Sequence, residues 1–484
     1  MQKLLDALRI NAAANPGEIA IRDDAGILTR GEFFAAVAHT AKAMEGKPSV
    51  IGILAGNGRE WAVAQLAGMA AGKTIVPLPL FFSPAQIGNV VRDASVELIL
   101  HADGRDMLVQ GMGIALEPLQ LEKAVEPSFS PRHDFSQIIY TSGSTGTPKG
   151  VRHGAAQMLA SAEMLIAATG STGADRYLSV LPLPMLLETI SAVLIPTLLG
   201  ASVVFDGQVA DAVGNGDASG MSAAFGRCRP TVSVLVPQLL RAWVGQLQAS
   251  GGKAPHSLRM VAVGGAPLPS AVADAAWALG IPAHEGYGLS ECCSVVSLNR
   301  PAERRTGTVG RPLDGISVAI DQGEIVVDSP TIMNGYLGMG KASSPWRTGD
   351  LGSIDADGYL TIEGRKDNLI VNAFGRNISP EWVETMLIAD PRIAVAAVAG
   401  HGAVLIPSAH GDAWFRQANR EDVLNLIEET CRSLPAYAVP RDYRIVLPRD
   451  AMLSGLLTKA GRVARPVLHN LLRQADKAAA PDAA

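Results

Sequence analysis

Tyr140-Thr-Ser-Gly-Ser-Thr-Gly-Thr-Pro-Lys149-Gly-Val151 gathers small hydroxyl residues and glycines into one short run that closes on a single lysine. Glycines let backbone N–H groups turn inward, the hydroxyls add donors, and Lys149 adds a point charge, a combination suited to phosphate. It is not a Walker loop. That pattern needs a lysine directly after glycine and before serine or threonine, whereas Lys149 sits between Pro148 and Gly150. A flexible linker is the competing reading, but an apolar strand, Gln137-Ile-Ile-Tyr140, precedes the run and a helix is expected after it.

Three later stretches carry complementary groups. Gly286-Tyr-Gly-Leu-Ser-Glu291 offers an aromatic ring, a hydroxyl and a carboxylate. Arg347-Thr-Gly-Asp350 ends on a carboxylate that, when ionised, only accepts hydrogen bonds and so suits a pair of ribose hydroxyls. Gly364-Arg-Lys-Asp-Asn-Leu-Ile370 brings Arg365, whose fixed fork of donors suits ribose or phosphate. Singly, such groups are more often surface ion pairs, helix caps or core tyrosines. Together, and in this order, the four stretches resemble the signature of the acyl-adenylate-forming superfamily, which includes acyl-CoA synthetases, aryl-CoA ligases, peptide-synthetase adenylation domains and firefly luciferase. The resemblance covers nearly the whole chain.

It implies that a carboxylate attacks the α-phosphate of ATP, releasing pyrophosphate, and that the acyl group then passes to a thiol. Such an attack accumulates negative charge, so donors, a lysine and Mg²⁺ are needed around the phosphates. By resemblance, Thr141, Ser142, Gly143, Ser144, Thr145 and Lys149 hold the phosphates. Glu291 holds the metal, and Ser290, in place of the usual threonine, contacts the α-phosphate. Tyr287, between Gly286 and Gly288, stacks on adenine, with the backbone of Gly264-Gly265-Ala266-Pro267 on the pocket's other side. Asp367 matches the hinge about which a C-terminal domain swings after adenylation. Gly375 matches the glycine over which pantetheine passes, although Phe374 stands where many relatives have another small residue.

The chain also departs from its relatives. The C-terminal catalytic lysine normally lies in a segment like G-L-L-T-x-x-G-K, but here Gly455-Leu-Leu-Thr-Lys-Ala-Gly-Arg462 puts Arg462 in its place. A planar guanidinium is not an ammonium on a flexible stem. Arg462 does the work, Lys459 substitutes from upstream, or adenylation is slow; the first is preferred. In Leu181-Pro-Leu-Pro-Met185-Leu-Leu-Glu188, Met185 replaces a common histidine and Glu188 stands near a common glycine, beside the acyl pocket. Val236 is a third candidate for that pocket. Glu188 fits three roles: a buried carboxylate paired with a basic group, a selector for a polar or amine-bearing acid, or a helix residue facing solvent, the commonest fate of a glutamate. The segment between Gly335-Tyr336 and Trp346 is shorter than in relatives. The post-hinge stretch and the G-L-L-T segment look closest to medium- or long-chain acyl-CoA synthetases. CoA is therefore the expected acceptor, with the phosphopantetheine of an acyl carrier protein as the alternative. A catalytically impaired binding or regulatory homologue is the rival that Arg462 motivates.

The elements that must position these groups follow from periodicity. From Leu4 to about Phe205, apolar strands such as Val50–Leu54 and Thr74–Leu78 alternate with helical stretches such as Trp61–Ala71, as in parallel α/β units. Strands at Val232–Val236 and Met260–Val263 continue the pattern. Past about residue 300, hairpins around Asp321-Gln-Gly323 and Asp357-Gly358 imply a β-rich subdomain up to about residue 364. The expected fold class is α/β: a large layered N-terminal α/β body over 1–366 and a small mobile C-terminal α+β domain over 367–484, ending in a disordered tail from about 475. Ser379 and Pro380 are placed to start a helix there.

Composition narrows the rest. A net charge of -5 on 484 residues gives no electrostatic case for nucleic acid or an anionic membrane. The apolar region Tyr177–Phe205 is broken by Pro182, Pro184, Glu188 and Pro196, so no membrane span is expected. Asp6 and Arg9 interrupt the start where a signal peptide needs an apolar run, so a cytoplasmic location is expected. The four cysteines lack metal-ligand spacing.

Overall fold

A computed structural model describes residues 1–102, 104–122, 135–141, 149–371, 377–457 and 463–478. The apolar runs Val50–Leu54, Thr74–Pro77 and Leu98–His101 pair in parallel and are covered on both faces, which is why they read as continuous hydrophobic stretches. They belong to a seven-stranded sheet whose other edge is built from Ser136–Thr141, Lys149–Gly154 and Gly335–Tyr336. A nine-stranded sheet carries Ser202–Phe205, Arg176–Ser179, Val232–Leu235, Met260–Val263 and Ala283–Leu289 as consecutive parallel neighbours. Helices including Arg59–Ala70, Ala155–Thr169 and Pro237–Ser250 cover these sheets, with Trp61 and Trp243 fully buried.

The expectation of a helix directly after the hydroxyl-rich run is corrected. Lys149–Gly154 is a strand that returns antiparallel along Ser136–Thr141, and the helix starts only at Ala155. The run is therefore the connection of a β-hairpin. The Leu4–Phe205 region also includes a second antiparallel pair, Ile19–Asp23 with Gly26–Thr29.

A four-stranded antiparallel sheet follows, with strands Ser317–Asp321, Glu324–Asp328, Trp346–Ile354 and Leu360–Arg365. Beyond it, a separate core gathers Val383, Leu387, Ile393, Leu405, Val423 and Ile427 around a three-stranded sheet of Ile393–Ala399, Gly402–Pro407 and Asp442–Ile445. The fold is thus a large α/β body with a smaller C-terminal domain. Ser379 caps the helix Pro380–Leu387 by accepting from Trp382 N–H. The tail expected from Ala475 is helical as far as Ala478, and 479–484 lie outside the described residues. No helix among the described residues is long and apolar enough to cross a membrane, and the four cysteines are free thiols.

Candidate active site

The consecutive strands of the nine-stranded sheet end together, and their carboxyl ends are where open α/β sheets place ligands. Met185 follows Arg176–Ser179, Val236 follows Val232–Leu235, Gly264–Pro267 follows Met260–Val263, and Gly286 lies in the next strand. A Cβ added to Gly264 would meet the Gly286 carbonyl oxygen at 3.1 Å, and one on Gly265 would meet Val236 Cγ1 at 3.8 Å. These positions therefore form one continuous edge. Gly288 has a purely local reason: a Cβ there would fall 1.8 Å from the Ser294 carbonyl oxygen.

Glu291 sits on a tight turn, Ser290–Cys292, where the chain reverses into the antiparallel strand Ser294–Leu298. Cys293 and Ser294 both take positive φ, 51° and 91°, which non-glycine residues adopt only when the surroundings hold them there. Three bonds do so. His153 Nε2 donates to Ser290 O at 2.8 Å, Met333 N–H to Glu291 O at 2.8 Å, and Ser161 Oγ–H to Cys293 O at 2.7 Å. His153 lies in the strand that begins at Lys149, so the edge of one sheet fixes the turn of the other. Burial drops its imidazole to about 4, which keeps it neutral and able to donate from Nε2, while Nδ1 has no partner among the described residues. The Glu291 side chain accepts from the Tyr336 hydroxyl at 2.7 Å. Lys149 Nζ lies 5.5 Å from the centre of the same Tyr336 ring.

Asp350 and Arg365 face each other in register across Trp346–Ile354 and Leu360–Arg365. Arg365 Nη1 donates to Asp350 Oδ1 at 2.9 Å, and the Tyr287 hydroxyl donates to Oδ2 at 2.5 Å. Burial pushes the Asp350 carboxyl above its usual range against those two donors. For Arg365 the carboxylate outweighs desolvation, the largest opposing influence, and holds the guanidinium above its usual value. Asp350 also feels the charge of Glu291, so the two carboxylates share one electrostatic neighbourhood. Asp367 follows directly, on a single turn flanked by Lys366, paired with Glu324, and Asn368, bonded to Glu381.

The structure thus brings Lys149, Glu291, Tyr287, Asp350 and Arg365 to one seam, with Ser290 in the same turn. Ser142, Gly143, Ser144, Thr145, Gly375, Lys459 and Arg462 lie outside the described residues, as does the Thr141 side chain. The solvent-facing reading of Glu188 is corrected: its side chain is fully buried, accepting from Tyr177 Oη at 2.9 Å and Ser179 Oγ at 2.6 Å. Its partners are hydroxyls, not a basic group. Burial pushes its carboxyl up to about 8, against the two hydroxyl donors. Asn57 extends the network, donating to Ser179 Oγ at 3.0 Å and to Leu181 O at 2.7 Å and accepting from Leu183 N–H at 2.9 Å, so it fixes the segment leading to Met185. Met185 itself is 36% exposed.

Sequence reasoning missed His153, Ser161, Asn57 and the role of Tyr336. Only Tyr336 left a signal, standing beside Gly335 upstream of the R-T-G-D stretch; the others are solitary polar residues whose partners lie more than a hundred residues away.

Comparison with known proteins gives the family and the fold. A family model described as AMP-binding enzyme matches residues 8–337. A 2-succinylbenzoate–CoA ligase of Bacillus licheniformis is 30% identical over 342 residues, covering 66% of this chain and 68% of the relative. A sulfoacetate–CoA ligase of Cupriavidus necator is 28% identical over 476 residues, 89% of each chain. The crystal structure of an anthranilate CoA ligase in complex with anthranoyl-AMP superposes with a TM-score of 0.84 at 22% identity, covering 98% of both chains, a likeness of fold. With the family model spanning well over half of its length, this chain belongs to the AMP-binding enzyme family.

Proposed function

We propose that this protein activates a carboxylic acid with ATP, forming an acyl-adenylate and pyrophosphate, and then passes the acyl group to the thiol of CoA. The observation that carries the reading is the seam itself: one lysine, two carboxylates, a guanidinium and an aromatic hydroxyl, drawn from four separated stretches, meet at the carboxyl ends of parallel strands. The family and the CoA ligases among the relatives support an AMP-forming acid–thiol ligase.

In this reading Lys149 and the hairpin connection bind the phosphates, and Asp350 and Arg365 orient the ribose. The two Asp350 donors each occupy one lone pair and leave others for ribose hydroxyls. Glu291 would hold Mg²⁺. Its half-buried carboxylate has a single neutral donor among the described residues, which leaves its charge unpaired and suits a hard cation that keeps most of its bonds to phosphate oxygens and water. The ion would screen the charge that gathers on the phosphates. The C-terminal domain turns about Asp367 and admits pantetheine past Gly375, and Arg462, with Lys459 as its rival, supplies the C-terminal cation.

The acid is apolar over most of its length. Met185 and Val236 are the side chains proposed to meet it, and Glu188 faces Tyr177 and Ser179 as a carboxyl held neutral by burial, which removes it as an amine selector. A medium- or long-chain acyl group is the first reading. An aromatic acid is the second, favoured by the 2-succinylbenzoate and anthranilate ligases among the relatives. Pyrophosphate release with octanoate, palmitate, benzoate, anthranilate and 2-succinylbenzoate, with and without CoA, tests both. Absence of release with every one of these acids, while ATP still binds, would replace the enzyme by a binding homologue.

A further inference from the structure

Tyr336 touches both halves of the seam. Its hydroxyl donates to Glu291 Oε1 at 2.7 Å, and its ring lies 5.5 Å from Lys149 Nζ. Its backbone is held in the same place, paired antiparallel with Val151, two residues beyond Lys149, while Leu337 N–H donates to Gly150 O at 2.7 Å. Gly335 lets the chain enter this pairing: φ there is +125°, and a Cβ would fall 2.2 Å from the Gly340 carbonyl oxygen.

The turn that carries Glu291 is already fixed at three carbonyls. Those three bonds hold backbone only, and the glutamate side chain is held by Tyr336. We propose that Tyr336 is a positioning residue for magnesium-bound ATP: its hydroxyl fixes the Glu291 carboxylate through Oε1 with Oε2 left for the cation, and its ring steadies Lys149 beside the phosphate loop. The inference rests on the reading of Glu291 given above. A phenol suits the task because it orients a carboxylate without cancelling its charge, as lysine or arginine would. A ring face attracts an ammonium weakly enough for the lysine to turn to phosphate when ATP arrives.

Tyr336→Phe keeps the ring and removes only the hydroxyl; Tyr336→Leu removes both. Calorimetric titration of ATP into each variant, in excess Mg²⁺ and again in EDTA, separates the two functions. Tyr336→Phe should weaken binding in Mg²⁺ about tenfold or more, the scale of one hydrogen bond to a charged group, and leave binding in EDTA unchanged. Tyr336→Leu should weaken both. In a Glu291→Ala background the added Phe substitution should have no further effect. Unaltered binding of magnesium-bound ATP by Tyr336→Phe, or an equal loss with Glu291 absent, would overturn the proposal. If Glu291→Ala alone leaves the Mg²⁺ dependence intact, the placement of the metal fails and the proposal with it, an outcome distinct from a defect confined to Tyr336. Thermal melts of each variant show whether the fold is retained.

Discussion

Lys149 and Glu188 show how surroundings assign a charged residue its work. Lys149 opens a strand at the seam with an aromatic ring and no carboxylate beside it among the described residues, so its charge is available to an anion. Lys149→Ala should lower the rate of pyrophosphate release about a hundredfold or more, with the melting temperature unchanged; a rate close to that of the parent protein would place the phosphates elsewhere. Glu188 is the opposite case. Burial raises its carboxyl from 4.5 to about 8, so over that window the native chain holds a proton that the unfolded chain releases. Stability from this group is complete below the lower value and is lost as pH rises towards the upper one. Glu188→Gln cannot ionise, and should gain stability relative to the parent as pH climbs from about 5 to about 8, by on the order of a few kcal/mol. Denaturant melts at several pH values check this, and parallel curves would show that the carboxyl ionises in place without penalty.

At the scale of elements, the site depends on pairings that bring distant motifs into register. Asp350 meets Arg365 because their strands form one antiparallel ladder, and Gly364 makes room at its end: φ there is +143°, and a Cβ would fall 2.0 Å from Ser379 Oγ. Gly364→Ala would therefore displace the serine that caps the helix Pro380–Leu387 and strain its own backbone. A loss of about 1–3 kcal/mol is expected in chemical denaturation, together with weaker ATP binding as Arg365 shifts; an unchanged midpoint would mean that the Ser379 side chain rotates away freely. The same pairings explain what could be read from sequence. Val50–Leu54 and Met260–Val263 were legible because a strand covered on both faces needs an unbroken apolar run. Lys149–Gly154 was not, since Lys-Gly-Val-Arg-His-Gly has no period and becomes a strand only by pairing with both neighbours. Glu188 misled for a related reason: a glutamate within an apolar helix points to solvent unless something accepts it, and its partners Tyr177 and Ser179 come from a strand that local pattern cannot link to it. The motifs located Tyr287, Glu291, Asp350 and Arg365, while His153 and Asn57, which hold the surrounding backbone, carried no signal of their own.

At the scale of the whole molecule, two cores share few direct ties among the described residues. Beyond the segment around Asp367, Arg241 of the helix Pro237–Ser250 reaches across, donating from Nη2 to the carbonyls of Asp390, at 2.9 Å, and of Ile393 in the smaller domain. Burial lowers this guanidinium from its usual value, and the Asp390 charge offsets part of that effect. The proposed swing about Asp367 would have to break these bonds, because the helix belongs to the large body and both carbonyls to the part that turns. The contact therefore favours the arrangement in which it forms, by about 1–3 kcal/mol for charged donors on carbonyls. Arg241→Ala should shift the balance between the two arrangements about fivefold or more. In single-turnover measurements, the rate of pyrophosphate release and the rate of thioester formation from preformed adenylate should then move in opposite directions. A population shift produces that divergence, whereas damage to a shared site lowers both rates, so a parallel decline would remove Arg241 from the domain movement and leave it as a structural bond alone.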